Sequence, residues 1–455
     1  MQIINPATEE IITDLLVDDE QTILKKFSQL KAAQPAWYAR PVEDRVIYLQ
    51  KFSDLLLEEI ESLSATLTSE VGKPIQQSRN EINGARTRID WLLHNAPKYL
   101  ATETMSTSES LTEKIVHEPL GVVCNISAWN YPYLVGVNVF IPALLAGNTV
   151  LYKPSEYASL TGLAIQRLLY KAGIPENCFN VAIGASEVGK ILLNTDFDGY
   201  FFTGSYKTGK YIYETVAKKM VSCQCELGGK DPLYITNDII NIAAVAAGTA
   251  DGVFYNNGQS CCAVERIYVH EEIANEYITA FVKEVESFTM GDPTAADIYL
   301  GALTRKEQIT VLENQITDAL NNGATLLTGG KVVKGKGYYF EPTVLSNVTQ
   351  EMRLMQEESF GPIIGIATVK NDEEAIEKMK DTQYGLTAGV YSNDEERALK
   401  ILAQLPTGTG YWNCCDRVSA PLPWSGRKNS GIGATLSYAG IRAFTQPKAY
   451  HLRKS

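Results

Sequence analysis

The sequence predicts an α/β protein: a helical N-terminal stretch, then two successive α/β units, the first built on a doubly wound parallel sheet. Three observations predict it. Residues 20–100 carry apolar and charged residues at helical spacing. From residue 115 the texture changes to short β-branched runs separated by helical segments, the alternation that a parallel sheet with crossover helices requires. A second alternation of the same kind follows Glu226. At 455 residues the chain also exceeds one ordinary core, so two or three domains are expected.

Taken in order, the spacing predicts helices over Arg45–Ile60 and Ser62–Val71, the latter stopped by Gly72-Lys73-Pro74. A third helix is expected over roughly Gln77–Asn95, ending before Pro97, since proline lacks an N–H and clashes with the preceding turn. Strands follow at Gly121–Ile126, Thr149–Tyr152, Phe179–Ala182, Tyr200–Phe202 and Leu233–Ile235, with helices near 136–146, 158–172, 186–194 and 206–219. The second unit reads as helix 239–256, strand 265–270, helices 272–288 and 304–322, strands near 324–328 and 362–369, and helix 372–380. Tyr450 and Leu452 alternate with polar neighbours, so Ile441–Arg453 is expected to be a strand.

A net charge of −12 and a pI near 5.1 argue against nucleic acid or an anionic membrane as partner. The first residues lack a basic n-region and an apolar h-region, so secretion is not expected. Eight cysteines form no CxxC, and none of the four histidines stands at zinc spacing from a cysteine pair. Neither a metal site nor a disulfide framework is expected, and a reducing cytoplasm is the default. Pro119–Tyr152 has no charged residue and is long enough to span a bilayer. Its three prolines and four asparagines would be costly in lipid, so buried soluble core is expected.

The chemistry concentrates in a few segments. Cys261 stands in Asn256-Asn257-Gly258-Gln259-Ser260-Cys261-Cys262, and Glu226 opens Glu226-Leu227-Gly228-Gly229-Lys230. A thiolate attacks carbonyl carbon and leaves a thioester, and a carboxylate can deprotonate water. Glycines beside both allow main-chain N–H groups to approach an oxyanion. The ordinary role of a cysteine is a small buried apolar residue, and Cys262 fits it better than Cys261. Asn130, in Ala128-Trp129-Asn130-Tyr131-Pro132, could donate its amide to an oxyanion or simply hold a turn. Lys153-Pro154-Ser155-Glu156 follows a strand, where such residues can bond a ribose. In Phe202-Thr203-Gly204-Ser205-Tyr206-Lys207-Thr208-Gly209 a strand meets a helix N-terminus suited to pyrophosphate, though the spacing is neither GxGxxG nor a P-loop.

In this order, with Glu358-Ser359-Phe360-Gly361-Pro362 further on, the segments resemble the aldehyde dehydrogenase superfamily over nearly the whole chain. The resemblance implies a Rossmann-like NAD-binding domain (1–100 and 119–227), an α/β catalytic domain (228–430), and a small β oligomerisation arm (101–118 and 441–455). It implies a homodimer or homotetramer acting on a small-molecule aldehyde with NAD, NADP being the alternative cofactor. By the same carry-over Cys261, Glu226 and Asn130 are catalytic. Trp129, Lys153, Ser155, Glu156, Gly204, Ser205, Gly209, Leu227, Glu358 and Phe360 would bind the cofactor. Glu156 favours NAD, because it would repel a 2′-phosphate.

The chain departs from the family pattern at Ala128, where proline is usual, at Asn138, where tryptophan is frequent, and at Val418, where an aromatic is frequent. An aromatic box for quaternary ammonium aldehydes is therefore not expected. Tyr131, Tyr255 and Trp424 could line the substrate entrance, and Arg417 could grip the carboxylate of an acid semialdehyde such as succinic semialdehyde. A CoA-acylating dehydrogenase is the nearest competing activity, and Glu226 counts against it. A non-catalytic structural protein on the same scaffold is the remaining alternative.

Overall fold

The computed structural model describes residues 1–454. Its first unit is a six-stranded sheet in the order Phe179–Val181, Thr149–Lys153, Val122–Ile126, Gly199–Thr203, Ser222–Glu226, Gly431–Ile432. The first five run parallel and the last pairs antiparallel, Gly431 opposite Glu226. The chain builds outward from Val122–Ile126 in one direction and then returns to build in the other. That reversal opens a crevice at the carboxyl ends of Val122–Ile126 and Gly199–Thr203, where ligands of such sheets bind.

Helices Glu20–Tyr38, Val42–Glu58, Ile60–Val71 and Ile75–Leu100 precede the sheet. The apolar helix Pro132–Ala146 lies against Ile75–Leu100 and the strands, with thirteen of its fifteen residues buried. Its C-terminal carbonyls are satisfied by distant donors: Trp37 Nε1 reaches Leu144 O at 3.0 Å, and Arg45 Nε reaches Leu145 O at 2.9 Å. Such pairing is what permits a buried helix terminus. The uncharged run Pro119–Tyr152 is thus buried strand, helix and strand. Among the described residues no helix is long and apolar enough to cross a membrane.

The second unit is a seven-stranded sheet: Thr325–Thr328, Thr343–Ser346, Ile363–Val369, Arg266–His270, Pro232–Ile235, Thr387–Tyr391, Thr409–Trp412. Only Thr325–Thr328 is antiparallel to its neighbour. A third, antiparallel sheet joins Glu103–Thr107, Leu111–Pro119 and Thr445–Arg453, with the last on an exposed edge.

Several expectations need correction. The helix read as ending before Pro97 runs on to Leu100. The missing proline N–H falls in the final turn, and buried Leu92, Leu93 and Ala96 hold that turn to the core. The terminal strand begins at Thr445, because Ser437–Arg442 is helical and Phe444 stacks on Phe201 with ring centroids 4.3 Å apart. Helix 239–256 is shorter, Ile242–Phe254, and gives way to a 3₁₀ turn at Tyr255–Gly258. The helix expected near 136–146 starts earlier, with Pro132 in its first turn, where a proline N–H would be unpaired in any case. Leu233–Ile235, read with the first run of strands, lies at the centre of the second sheet. Strands Ser222–Glu226, Thr343–Ser346, Thr387–Tyr391 and Thr409–Trp412 went unread, being short and weakly alternating.

Candidate active site

Three successive residues carry the chain from helix Ile242–Phe254 toward Cys261 in left-handed backbone: Asn256 at φ +53°, Asn257 at +55° and Gly258 at +67°. Asparagine tolerates this region better than other side chains, and glycine pays no steric penalty there. A Cβ on Gly258 would also lie 2.5 Å from Gly361 O. Buried amides pin the turn. Asn256 N donates to Gln77 Oε1 at 3.0 Å and Asn257 Nδ2 to Gly301 O at 3.0 Å. Gln259 donates through Nε2 to Asn256 O at 3.1 Å and accepts from Thr304 N at 3.0 Å. The polar residues before Cys261 therefore aim the thiol. Cys261 is half-buried, and its backbone N–H has no protein acceptor among the described residues.

Asn130 approaches from the other unit, at the carboxyl end of Val122–Ile126. Its Nδ2 donates to Gln259 O at 3.0 Å, which leaves the second amide hydrogen for a ligand. Beneath it, the fully buried Lys73 pairs with Glu81 and donates to Asn130 O at 2.7 Å. Glu81 in turn accepts from Tyr133 N at 2.8 Å. The lysine read as part of a helix stop is thus the support of the Asn130 turn.

Glu226 closes the group. Ser222–Glu226 ends at it, and the returning segment Trp424–Thr435 brings Thr435 Oγ1 to within 2.5 Å of Glu226 Oε1. Burial pushes the Glu226 carboxyl up to about 7, with the Thr435 hydrogen bond and the charge of Arg88 holding back part of the rise. A carboxylate with that pKa exchanges a proton readily near neutral pH.

Cys261, Glu226 and Asn130 line one cavity of about 380 Å³. Tyr131, Tyr255, Arg417 and Trp424 line it too, as do Arg88, Asn138, Asp251, Asp416 and Val418. Cys262 also borders the cavity, but it is buried with Leu386, Trp424 and Leu436, and its thiol donates to Asp416 Oδ1 at 3.0 Å. The contact with Cys261, then burial and the neighbouring Asp416, raise its pKa.

The remaining expected residues gather along the crevice of the first sheet. Gly204 and Ser205 follow strand Gly199–Thr203, and Ser205 precedes helix Tyr206–Val216 without bonding its first N–H groups. Those free donors, with the helix dipole, suit an anion. Gly209 packs closely on Leu227, where a Cβ would lie 2.3 Å from Leu227 Cδ2. Buried Lys153 stands 4.0 Å from Glu156 Oε2, and Ser155 Oγ donates to the same oxygen at 3.3 Å. Trp129 meets Phe360 edge to face at 5.4 Å. Glu358 folds over the double glycine: its Oε1 accepts from Gly229 N at 3.0 Å, where a Cβ on Gly228 would collide with it. Burial and the neighbouring Glu265 push this carboxyl up to about 8.

Sequence reading missed Arg88, Asp251, Asp416 and Thr435. Arg88 carries no local mark that separates it from Arg79 and Arg86 of the same helix; Arg79 pairs with Glu61 and Arg86 donates to Ser53 O. Asp416 adjoins Arg417, but only the fold shows that it accepts from Ser260 and Cys262.

A thiol, a carboxylate and free N–H donors converging beside a nucleotide-type crevice find their counterparts in known proteins. The aldehyde dehydrogenase family model matches residues 1–450. A succinate-semialdehyde dehydrogenase of Deinococcus radiodurans, named for NADP, is 30% identical over 98% of this chain and 93% of its own. The chloroplastic betaine aldehyde dehydrogenase of Atriplex hortensis is 34% identical over 98% and 91%. The structure of lactaldehyde dehydrogenase from Escherichia coli superposes with a TM-score of 0.95 at 30% identity, covering 99% of this chain and 95% of that one. With its ordered segments, two-sheet architecture and shared cavity all accounted for by one family, the chain belongs to the aldehyde dehydrogenases.

Proposed function

We propose that this protein oxidises an aldehyde to the carboxylic acid, using NAD(P) and a covalent intermediate on Cys261. The observation that carries the reading is the single cavity lined by Cys261, Glu226 and Asn130. Attack by Cys261 Sγ on the carbonyl carbon forms a C–S bond and moves charge onto oxygen. The free hydrogen of Asn130 Nδ2 and the unpaired N–H of Cys261 receive that charge. Nicotinamide held in the crevice would supply the oxidation, as the acceptor of the hydride that leaves the substrate carbon. Glu226 then accepts a proton from water as its oxygen attacks the thioester. The same donors hold the second oxyanion, the C–S bond breaks, and the acid and the thiolate separate.

The uncapped helix after Ser205, the Lys153–Glu156 pair and the Trp129–Phe360 contact fit the pyrophosphate, adenosine ribose and nicotinamide end of such a cofactor. Glu156 favours NAD over NADP by charge repulsion. On this reading 1–100 with 119–227 binds the cofactor and 228–430 completes the catalytic cavity. Residues 101–118 with 441–455 form an arm whose exposed edge strand pairs with a second copy. All eight cysteines are free thiols, which fits a reducing compartment such as the cytoplasm.

The test is NADH absorbance with a panel of acetaldehyde, hexanal, benzaldehyde and succinic semialdehyde. Steady NADH production without added thiol is expected. Turnover only after CoA is added would convert the reading to an acylating dehydrogenase, and silence with every aldehyde would favour a structural protein.

A further inference from the structure

We propose that Arg88 sets substrate specificity, binding the carboxylate of an aldehyde whose far end is acidic. The proposal rests on the cavity being the site of aldehyde oxidation. Arg88 reaches from helix Ile75–Leu100 to line the same cavity as Asn130 and Cys261. Its Nη1 donates to Asn138 Oδ1 at 3.1 Å and to Leu134 O at 3.4 Å. Among the described residues Nε and Nη2 have no protein acceptor, and no carboxylate lies within 4 Å of the guanidinium. The other enclosed arginines are used up: Arg45 donates to three backbone carbonyls, and Arg266 to four backbone carbonyls and the Tyr268 hydroxyl. A guanidinium stays charged when enclosed, and its free edge matches a carboxylate in a two-point contact. Asn138, in place of the bulky aromatic frequent there, both makes room for Arg88 and orients it.

The opposing charges are muted. Of the acidic groups that face Arg88, Glu81 is paired with Lys73 and burial raises the pKa of Glu226; Asp416 accepts from Ser260 and Cys262 and is likewise raised by burial, and Asp251 accepts from Tyr299 Oη at 2.6 Å. Arg417 is exposed at the rim, with Nη1 beside Asp416 O.

The experiment compares kcat/KM for succinic semialdehyde and butanal, at saturating NAD, in the wild-type enzyme and in Arg88→Gln, Arg88→Lys and Arg417→Gln. The wild type is expected to prefer the acid by about 10- to 100-fold, the range of a charged hydrogen-bonded contact. Arg88→Gln should lose that preference mainly through KM for the acid, Arg88→Lys should regain part of it, and Arg417→Gln should keep it. Succinate should inhibit wild-type butanal oxidation competitively, a measurement that needs no variant. Equal use of both aldehydes by the wild type, no inhibition by succinate, a preference that follows Arg417, or an acid preference kept unchanged in Arg88→Gln would each overturn the proposal; a fall of kcat common to both substrates reads only the Arg88 charge on Glu226. Butanal oxidation without acid preference removes this inference alone; no NADH from either aldehyde removes the oxidation reading with it.

Discussion

Thr435 donates its hydroxyl to Glu226 at 2.5 Å across 209 residues of sequence, and this contact, with the charge of Arg88, holds back the rise that burial imposes on the carboxyl. The bond favours the charged form, so it lowers a pKa that burial has raised. Removing it in Thr435→Val should raise the Glu226 pKa further, by about one unit for a hydrogen bond of roughly 1.5 kcal/mol to a carboxylate. Because the base must be ionised to accept a proton, thioester hydrolysis at pH 7 should slow and recover above pH 8. The acidic limb of the kcat profile measures it, and an unmoved limb would separate Thr435 from the base.

Cys261→Ser should abolish NADH formation with every aldehyde. Glu226→Gln should instead release one equivalent of NADH per site and then stall, since the first half of the reaction does not need the base. Rapid-mixing absorbance gives the burst, and intact-protein mass spectrometry should find the acyl group on Cys261. Steady turnover in Glu226→Gln would place the base elsewhere.

Asn130→Ala should lower kcat by about 10²–10³, the cost of one oxyanion donor (~3 kcal/mol), with a smaller change in KM. A loss confined to KM would assign Asn130 to substrate holding, through its bond to Gln259 O.

Lys73→Met should destabilise the fold by about 3–5 kcal/mol, because it leaves Glu81 buried without its partner. Burial lowers the Lys73 pKa and raises that of Glu81, so each charge persists through the other. The double variant Lys73→Met with Glu81→Leu should recover much of that loss in urea unfolding. Its activity should stay low, since the Asn130 turn loses its support.

Glu156→Gln should improve KM for NADP by about tenfold, near 1.4 kcal/mol, by removing the charge that faces a 2′-phosphate. Initial rates with each cofactor decide it; an unchanged ratio would move the discrimination to other residues.

The central strands and the chemical segments were legible because their signals are local. Val122–Ile126 and Thr149–Lys153 are short apolar runs, and the asparagines and glycine before Cys261 mark unusual backbone in the chain itself. The limits of helices at Pro97 and Ile441 were not legible. At Pro97 the packing of Leu92 and Ala96 into the core outweighs the local stop signal, and at Ile441 the expected strand gives way to helix Ser437–Arg442, followed by Phe444 stacked on Phe201. Arg88, Asp251, Asp416 and Thr435 were invisible for a related reason: each is an ordinary polar residue until the fold supplies its neighbours.

What the sequence by itself determined is the family and the alternating architecture, and it singled out the candidate thiol, carboxylate and amide, since these depend on residue types at short spacing. Only the tertiary structure decided that the three share one enclosed space, that Glu226 titrates near neutrality, and that an arginine with unused donors faces them. Those properties come from desolvation and from contacts between segments more than a hundred residues apart, and no local pattern encodes either.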